Sequence, residues 1–202
     1  MGRLIVVEDF YEDPWRIRAG ALACEFSKQA QRPKLCEWLE SFPASQYEAA
    51  LLRMAELIGH NVTYEPRYQG FFRVLTASAW QRVCNSGIIV HVDKYDWLGV
   101  VGLTEAYVGA LSFYRHKSTG VAEVPPDYDA RDAYPEDAGD LTRWEIIQTV
   151  ELRFNRLVLF TPRAFHVAAP GVGGTPADGK LTQQFQFDED DEDAEAVSAQ
   201  RY

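Results

Sequence analysis

The residues best placed to do chemistry are His91 and Asp93. They close the apolar run Ile88-Ile89-Val90-His91-Val92-Asp93. Residues two apart on a strand point to one face, so an imidazole and a carboxylate could meet at one point in space. One more imidazole would complete a two-histidine, one-carboxylate face, the ligand set that holds non-haem Fe(II) with coordination positions left open. The chain has four histidines, His60, His91, His116 and His166. His60, in Ile58-Gly59-His60-Asn61, falls at an expected helix end, where a cation suits the helix dipole. His116, in Tyr114-Arg115-His116-Lys117, reads as part of a basic, solvated turn only 25 residues from His91. His166 follows the turn at Pro162 inside a short apolar strand. An imidazole at that depth needs a partner, because a buried polar group left unpaired is costly. The residues alone leave His166 and His116 both open as the third ligand. The competing reading keeps His91 and His166 as core histidines and Asp93 as a turn residue.

Several elements must position this set. Leu4–Val7 reads as a strand. Asp13-Pro14 is a helix start, with Asp as N-cap and Pro at the first helical position, and the helix is expected from Trp15 to about Phe26. Ser45 to Ile58 carries a second helix. Ser45 and Glu48 are spaced as a capping box, and Ala49, Leu52, Ala55, Leu57 and Ile58 form its apolar stripe. From about Phe71 the pattern changes to short β-rich runs: Phe71–Leu75, Ile88–Asp93, Trp97–Thr104, Ala110–Tyr114, Leu157–Phe160, Phe165–Ala168 and Leu181–Phe187. Residues 116–143 are polar and rich in Pro and Asp, a long loop or insertion expected to cover a pocket. Trp144–Val150 reads as a short helix. Helices first and strands afterwards imply an α+β chain, an antiparallel sandwich or barrel with helices packed on one side.

The 202 residues suit one domain with a substantial core. The division expected is a helical part over about 1–66, a β core over about 70–187 and an acidic tail at 188–202. That tail holds seven acids and one Arg, so it carries most of the net charge of −10; such a block repels itself and stays solvated. No basic stripe is present, so nucleic acid is not an expected partner. No apolar run is long enough to cross a bilayer, and the first residues lack a signal-peptide pattern. Cys24, Cys36 and Cys84 form no CxxC pair and are expected to be reduced thiols in a cytoplasm. Oligomeric state, a homodimer included, is left open.

The pattern Arg156-Leu157-Val158-Leu159-Phe160, a short turn, His166, a Gly-containing loop, then Lys180 with Thr182 two positions on, resembles the C-terminal half of Fe(II)- and 2-oxoglutarate-dependent oxygenases. The likeness is to the prolyl-4-hydroxylase-like branch in particular. Upstream, His91-Val92-Asp93, then Trp97–Thr104, then Val108-Gly109-Ala110-Leu111-Ser112-Phe113-Tyr114, follow the same order. The 75 residues between His91 and His166 are long for the family, and the 116–143 insertion absorbs the excess. The resemblance implies a double-stranded β-helix (jelly-roll or cupin-like) core. It implies that His91, Asp93 and His166 bind Fe(II), and that Lys180 with Thr182 takes the distal carboxylate of 2-oxoglutarate. Lys180 stands where the family more often has Arg. Tyr114 and Arg115 have two readings, a surface pair at a strand end or a pocket residue and an anion contact. The activity implied is oxidation by O₂, with Asp93 favouring hydroxylation over halogenation, on a small-molecule or amino-acid-like substrate. The alternatives are a non-catalytic small-molecule binder, or a non-oxidative cupin-like enzyme using the same ligands for Zn²⁺ or Mn²⁺.

Overall fold

The computed structural model describes residues 2–24, 26–27, 38–39, 45–66, 69–87, 89–106, 109–125 and 134–190. Cys36, Ile88, Val108, the side chain of Ser45 and residues 191–202 lie outside them, and with them the capping box and most of the acidic tail. The chain opens with strand β1 (Leu4–Val7) and helix α1 (Pro14–Leu22). Asp13 caps α1, its carboxylate accepting from Arg16 N at 3.0 Å. The helix stops at Leu22, short of the expected Phe26, because Phe26–Ser27 (β2) instead pairs with Trp38–Leu39 (β3). Helix α2 (Ser45–Ile58) has the expected length and ends at Gly59, whose φ of +76° is the left-handed conformation common just past a helix end. Its buried face differs from the expected stripe. Tyr47, Ala50, Leu51 and Met54 are buried, and Leu52 is 67% exposed.

The remaining elements are β4 (Val62–Thr63), β5 (Gln69–Leu75), α3 (Ala77–Asn85), β6 (Trp97–Gly102), β7 (Ala110–His116), β8 (Trp144–Glu151), β9 (Leu157–Phe160), β10 (His166–Ala169) and β11 (Lys180–Glu189). They build two antiparallel sheets. The larger has the order β1-β9-β6-β11-β5-β3-β2, with β4 on the end of β11, and the smaller is β10-β7-β8. From β5 onward the chain passes back and forth between the sheets, and the result is a double-stranded β-helix.

Three expectations are corrected here. Trp144–Val150 is a strand, not a helix: seven residues of β7, Ala110 to His116, pair with it. Residues 89–93 make no regular strand, only a single antiparallel bridge between His91 and His166. The tail begins later than 188, because Asp188 and Glu189 belong to β11. Asp188 accepts from Asp96 N at 2.9 Å and Glu189 accepts from Trp97 Nε1 at 2.8 Å. Helix α3 had no counterpart in the sequence reading; Thr76 caps it through Ala79 N at 3.2 Å.

Strand alternation sorts the core into layers. Trp97 and Val101 of β6, Leu157 and Leu159 of β9, and Leu181, Phe185 and Phe187 of β11 face α1 and α2. Gly99 leaves room there for α2, since a Cβ at that position would sit 3.0 Å from Met54 Sδ. The opposite faces, with Leu98, Val100, Val158 and Phe160, pack between the sheets against Leu111, Phe113 and Val150 of the smaller one. Among the described residues no helix is long and apolar enough to cross a membrane.

Candidate metal centre

The smaller sheet ends where His91 meets β10. His91 N donates to His166 O at 3.3 Å, and His166 N to His91 O at 3.0 Å. This reciprocal pair sets two histidines face to face, with ring centroids 4.5 Å apart. Two residues on, Asp93 N donates to Pro162 O at 2.9 Å, which holds the carboxylate beside them. One nitrogen of each histidine and one oxygen of Asp93 all lie within 4.8 Å of one another. His166 Nε2 and Asp93 Oδ2 are 3.5 Å apart. The three side chains that the sequence singled out are thus gathered at one point.

Their orientation is fixed from behind. His91 Nδ1 lies 3.0 Å from Ile89 O, and His166 Nδ1 lies 2.9 Å from Ala164 O. A carbonyl can only accept, so each Nδ1 donates to it, and in a neutral imidazole so held Nε2 keeps the lone pair. Metal-bound histidines are usually oriented in this way. Phe160 meets the His166 ring edge-on at 5.0 Å. Burial, reinforced by the neighbouring His166, lowers the His91 pKa to about 4. Burial works the other way on Asp93, but His166 3.5 Å away, His91 and Arg73 outweigh it and hold the carboxyl well below its usual range. At neutral pH the site offers a neutral His91 and an ionised Asp93, a donor set suited to a divalent cation.

A cavity between the sheets reaches His91. Leu75, Trp80 and Val83 give it an apolar wall, and Lys180, Thr182 and Arg73 a polar one. The polar wall is a strand effect. Lys180, Thr182 and Gln184 alternate with the helix-facing residues of β11, so all three turn into the space between the sheets, and all three are buried. Lys180 Nζ donates to Ala168 O at 2.6 Å. Gln184 Nε2 donates to Thr182 Oγ1 at 3.3 Å, while Gln184 Oε1 is buried with no hydrogen-bond partner among the described residues. Buried polar atoms are rarely left so, and such an atom marks where a ligand or water belongs. Arg73 sits directly opposite Thr182 on β5 and was missed by the sequence reading. Its signal was a lone cation within the apolar run Phe71-Phe72-Arg73-Val74-Leu75.

The other sequence candidates lie elsewhere. Alternation along β7 turns Tyr114 away from the face that carries Phe113, and it packs with Trp144 and Phe165. Arg115 is exposed, with its guanidinium 3.4 Å from Glu145. Neither lines the cavity. His116 is not in a solvated turn: it is 3% exposed, because the chain beyond it folds back and covers it. The described residues of 116–143 do not line the cavity either; they pack on the outer face of the smaller sheet.

No protein-family model matches the chain, and no curated protein sequence does. Solved structures do. HygX from Streptomyces hygroscopicus, with nickel and 2-oxoglutarate bound, superposes with a TM-score of 0.53 at 10% identity, over 91% of this chain and 82% of that one. A prolyl-4-hydroxylase from Pseudomonas putida gives a TM-score of 0.50 at 16% identity, over 92% and 93% of the two chains. IDO from Bacillus thuringiensis gives 0.50 at 10% identity, over 92% of both. At these identities the likeness is one of fold.

Proposed function

We propose that this protein is a non-haem Fe(II)- and 2-oxoglutarate-dependent oxygenase that hydroxylates a small-molecule or amino-acid-like substrate. The observation that carries the reading is the convergence of His91, Asp93 and His166, with His91 lining a cavity together with Lys180, Thr182 and Arg73. HygX, with nickel and 2-oxoglutarate bound, and the Pseudomonas prolyl-4-hydroxylase share the fold and support it.

His91, Asp93 and His166 would hold the iron, and the bond of each Nδ1 to a backbone carbonyl keeps the other ring nitrogen available to it. Bound iron supplies O₂-dependent oxidation of a C–H bond, coupled to decarboxylation of 2-oxoglutarate to succinate. Lys180 and Thr182 take the distal carboxylate of 2-oxoglutarate, since an ammonium and a hydroxyl compensate a buried carboxylate. Arg73, across the strand pair from Thr182, adds positive potential to the same wall. Leu75, Trp80 and Val83 exclude water from the opposite side. Asp93 completes the three-ligand face, and its presence favours hydroxylation. Among the described residues Cys84 forms no disulfide, in keeping with a cytoplasmic location.

The test is metal analysis of the purified protein together with succinate release measured with and without 2-oxoglutarate. Fe(II) with 2-oxoglutarate-dependent succinate is the expected result. Asp93→Ala should abolish it; full activity in that variant would refute the ligand assignment.

A further inference from the structure

The two imidazoles owe their orientation to two backbone carbonyls, Ile89 O and Ala164 O. Both carbonyls belong to irregular stretches, and the described residues of the segment between β7 and β8 hold both stretches. Its first half runs along the second stretch. Phe165 N donates to Ala122 O and Val124 N to Arg163 O, both at 3.0 Å, and Glu123 faces Ala164 in an antiparallel bridge. Its second half holds the first stretch. Ile89 N and Val90 N both donate to Ala138 O, at 3.1 and 2.9 Å. Gly139 backs onto Gly87, where a Cβ would lie 2.6 Å from the Gly87 carbonyl oxygen.

His116, at the end of β7, fastens this segment. Its Nε2 is 2.9 Å from Asp137 Oδ2, on the residue just before Ala138. With Nε2–H donating to that carboxylate, Nδ1 accepts from the Thr119 hydroxyl at 3.0 Å. The ring stacks on Tyr134 at 4.0 Å and lies 4.9 Å from Trp144, whose Nε1 donates to Asp137 O at 2.9 Å. The path from His116 to the centre is short: Asp137, the Ala138 carbonyl, the Ile89 and Val90 amides, the Ile89 carbonyl, then His91 Nδ1. Each link is a hydrogen bond or a single residue of backbone.

We propose that His116 and Asp137 are positioning residues of the metal centre: they lock the segment between β7 and β8 onto the backbone that orients the metal-binding histidines, and so set the affinity for a divalent cation. This rests on the metal-centre reading above. Loss of groups that orient metal ligands typically weakens binding by about 10–100-fold.

The experiment is calorimetric titration of the full-length, metal-free protein with Ni(II) alone. His116→Phe keeps the aromatic stack and removes both hydrogen bonds. Asp137→Ala acts at a side chain 32% exposed, where a smaller residue can be accommodated. Asp137→Asn retains an acceptor for His116. Both His116→Phe and Asp137→Ala should weaken Ni(II) binding by about tenfold or more, and Asp137→Asn should restore most of it. Hydrogen exchange at the Ile89 and Val90 amides should speed up in the two weakened variants before metal is added. Glu145→Ala, on the exposed face beside Trp144, should bind as the wild type does. Folded His116→Phe or Asp137→Ala protein with wild-type Ni(II) affinity would overturn the brace. So would weakening without faster exchange at Ile89 and Val90, which would mean that stability alone had changed. Wild-type protein that takes up no Ni(II) would remove the metal centre, and the brace with it.

Discussion

At the scale of single residues the centre resists protons. A histidine in an unfolded chain takes one up near pH 6.5, but His91, buried and beside His166, does so only at about 4. Between those two values the unfolded chain binds a proton that the folded chain does not, so stability falls as the pH falls. Above about 6.5 the imidazole is neutral in both states and contributes no slope. Asp93 has the same sign in a lower window, because its lowered pKa favours the folded state until the pH drops well below the usual carboxylate range. Urea unfolding of the metal-free protein should therefore show stability nearly flat from pH 8 to 7 and dropping from about 6.5 to about 4. His91→Gln, which has no group to titrate there, should flatten that upper window. An unchanged slope in His91→Gln would place the titration elsewhere. The residues of the centre were legible in the sequence because the chemistry restricts the types: four histidines, one His-x-Asp and one strand-borne His166 leave few combinations. Arg73 was not, because a cation in an apolar strand signals a site only when the strand across from it is known.

At the scale of elements, β11 does two jobs with one alternation. Leu181, Phe185 and Phe187 pack on the helices, while Lys180, Thr182 and Gln184 turn between the sheets. Truncating the charge on that inner face should cost ligand affinity and spare the fold. Lys180→Met keeps the aliphatic stem and loses the ammonium. A hydrogen bond to a charged group is worth about 1.5–3 kcal/mol, so 2-oxoglutarate should bind the nickel-loaded variant about 10–100-fold more weakly. An analogue without the distal carboxylate, 2-oxopentanoate, should bind both proteins alike. Equal weakening of the two ligands would show that Lys180 acts on the cavity as a whole. Strands of this kind were readable from their alternation or apolar run. Trp144–Val150 reads as a helix because Trp144, Ile147 and Val150 recur every third residue. What decides for a strand is its pairing with β7, a long-range fact. Ile88–Asp93 reads as a strand because its β-branched residues suit one. Its neighbours leave it a single bridge, and the Ile89 and Val90 amides go to Ala138 instead.

At the scale of the molecule, the site is tied to the chain from end to end. β1 pairs with β9, whose Phe160 packs on His166. β11 joins β5 and β6 and is braced to β10 by Lys180 through Ala168 O. Tyr11, near the first helix, donates to Gln183 of β11 at 2.7 Å. The N-terminal helices therefore have no core apart from the sheet that carries the site, and the described chain should unfold as one unit. Ligands that bind only the folded state must then stabilise all of it. Ni(II) at a hundredfold excess over its Kd should add about 2.7 kcal/mol. For a domain of this size that corresponds to a rise in Tm of about 5–11 °C. The rise should appear in a single calorimetric transition, with near- and far-ultraviolet circular dichroism coincident. Excess chelator should reverse it, and Asp93→Ala should lack it. A second transition that ignores the metal would mean that α1 and α2 form a separate unit, and that the sheet does not transmit the centre's binding energy to them.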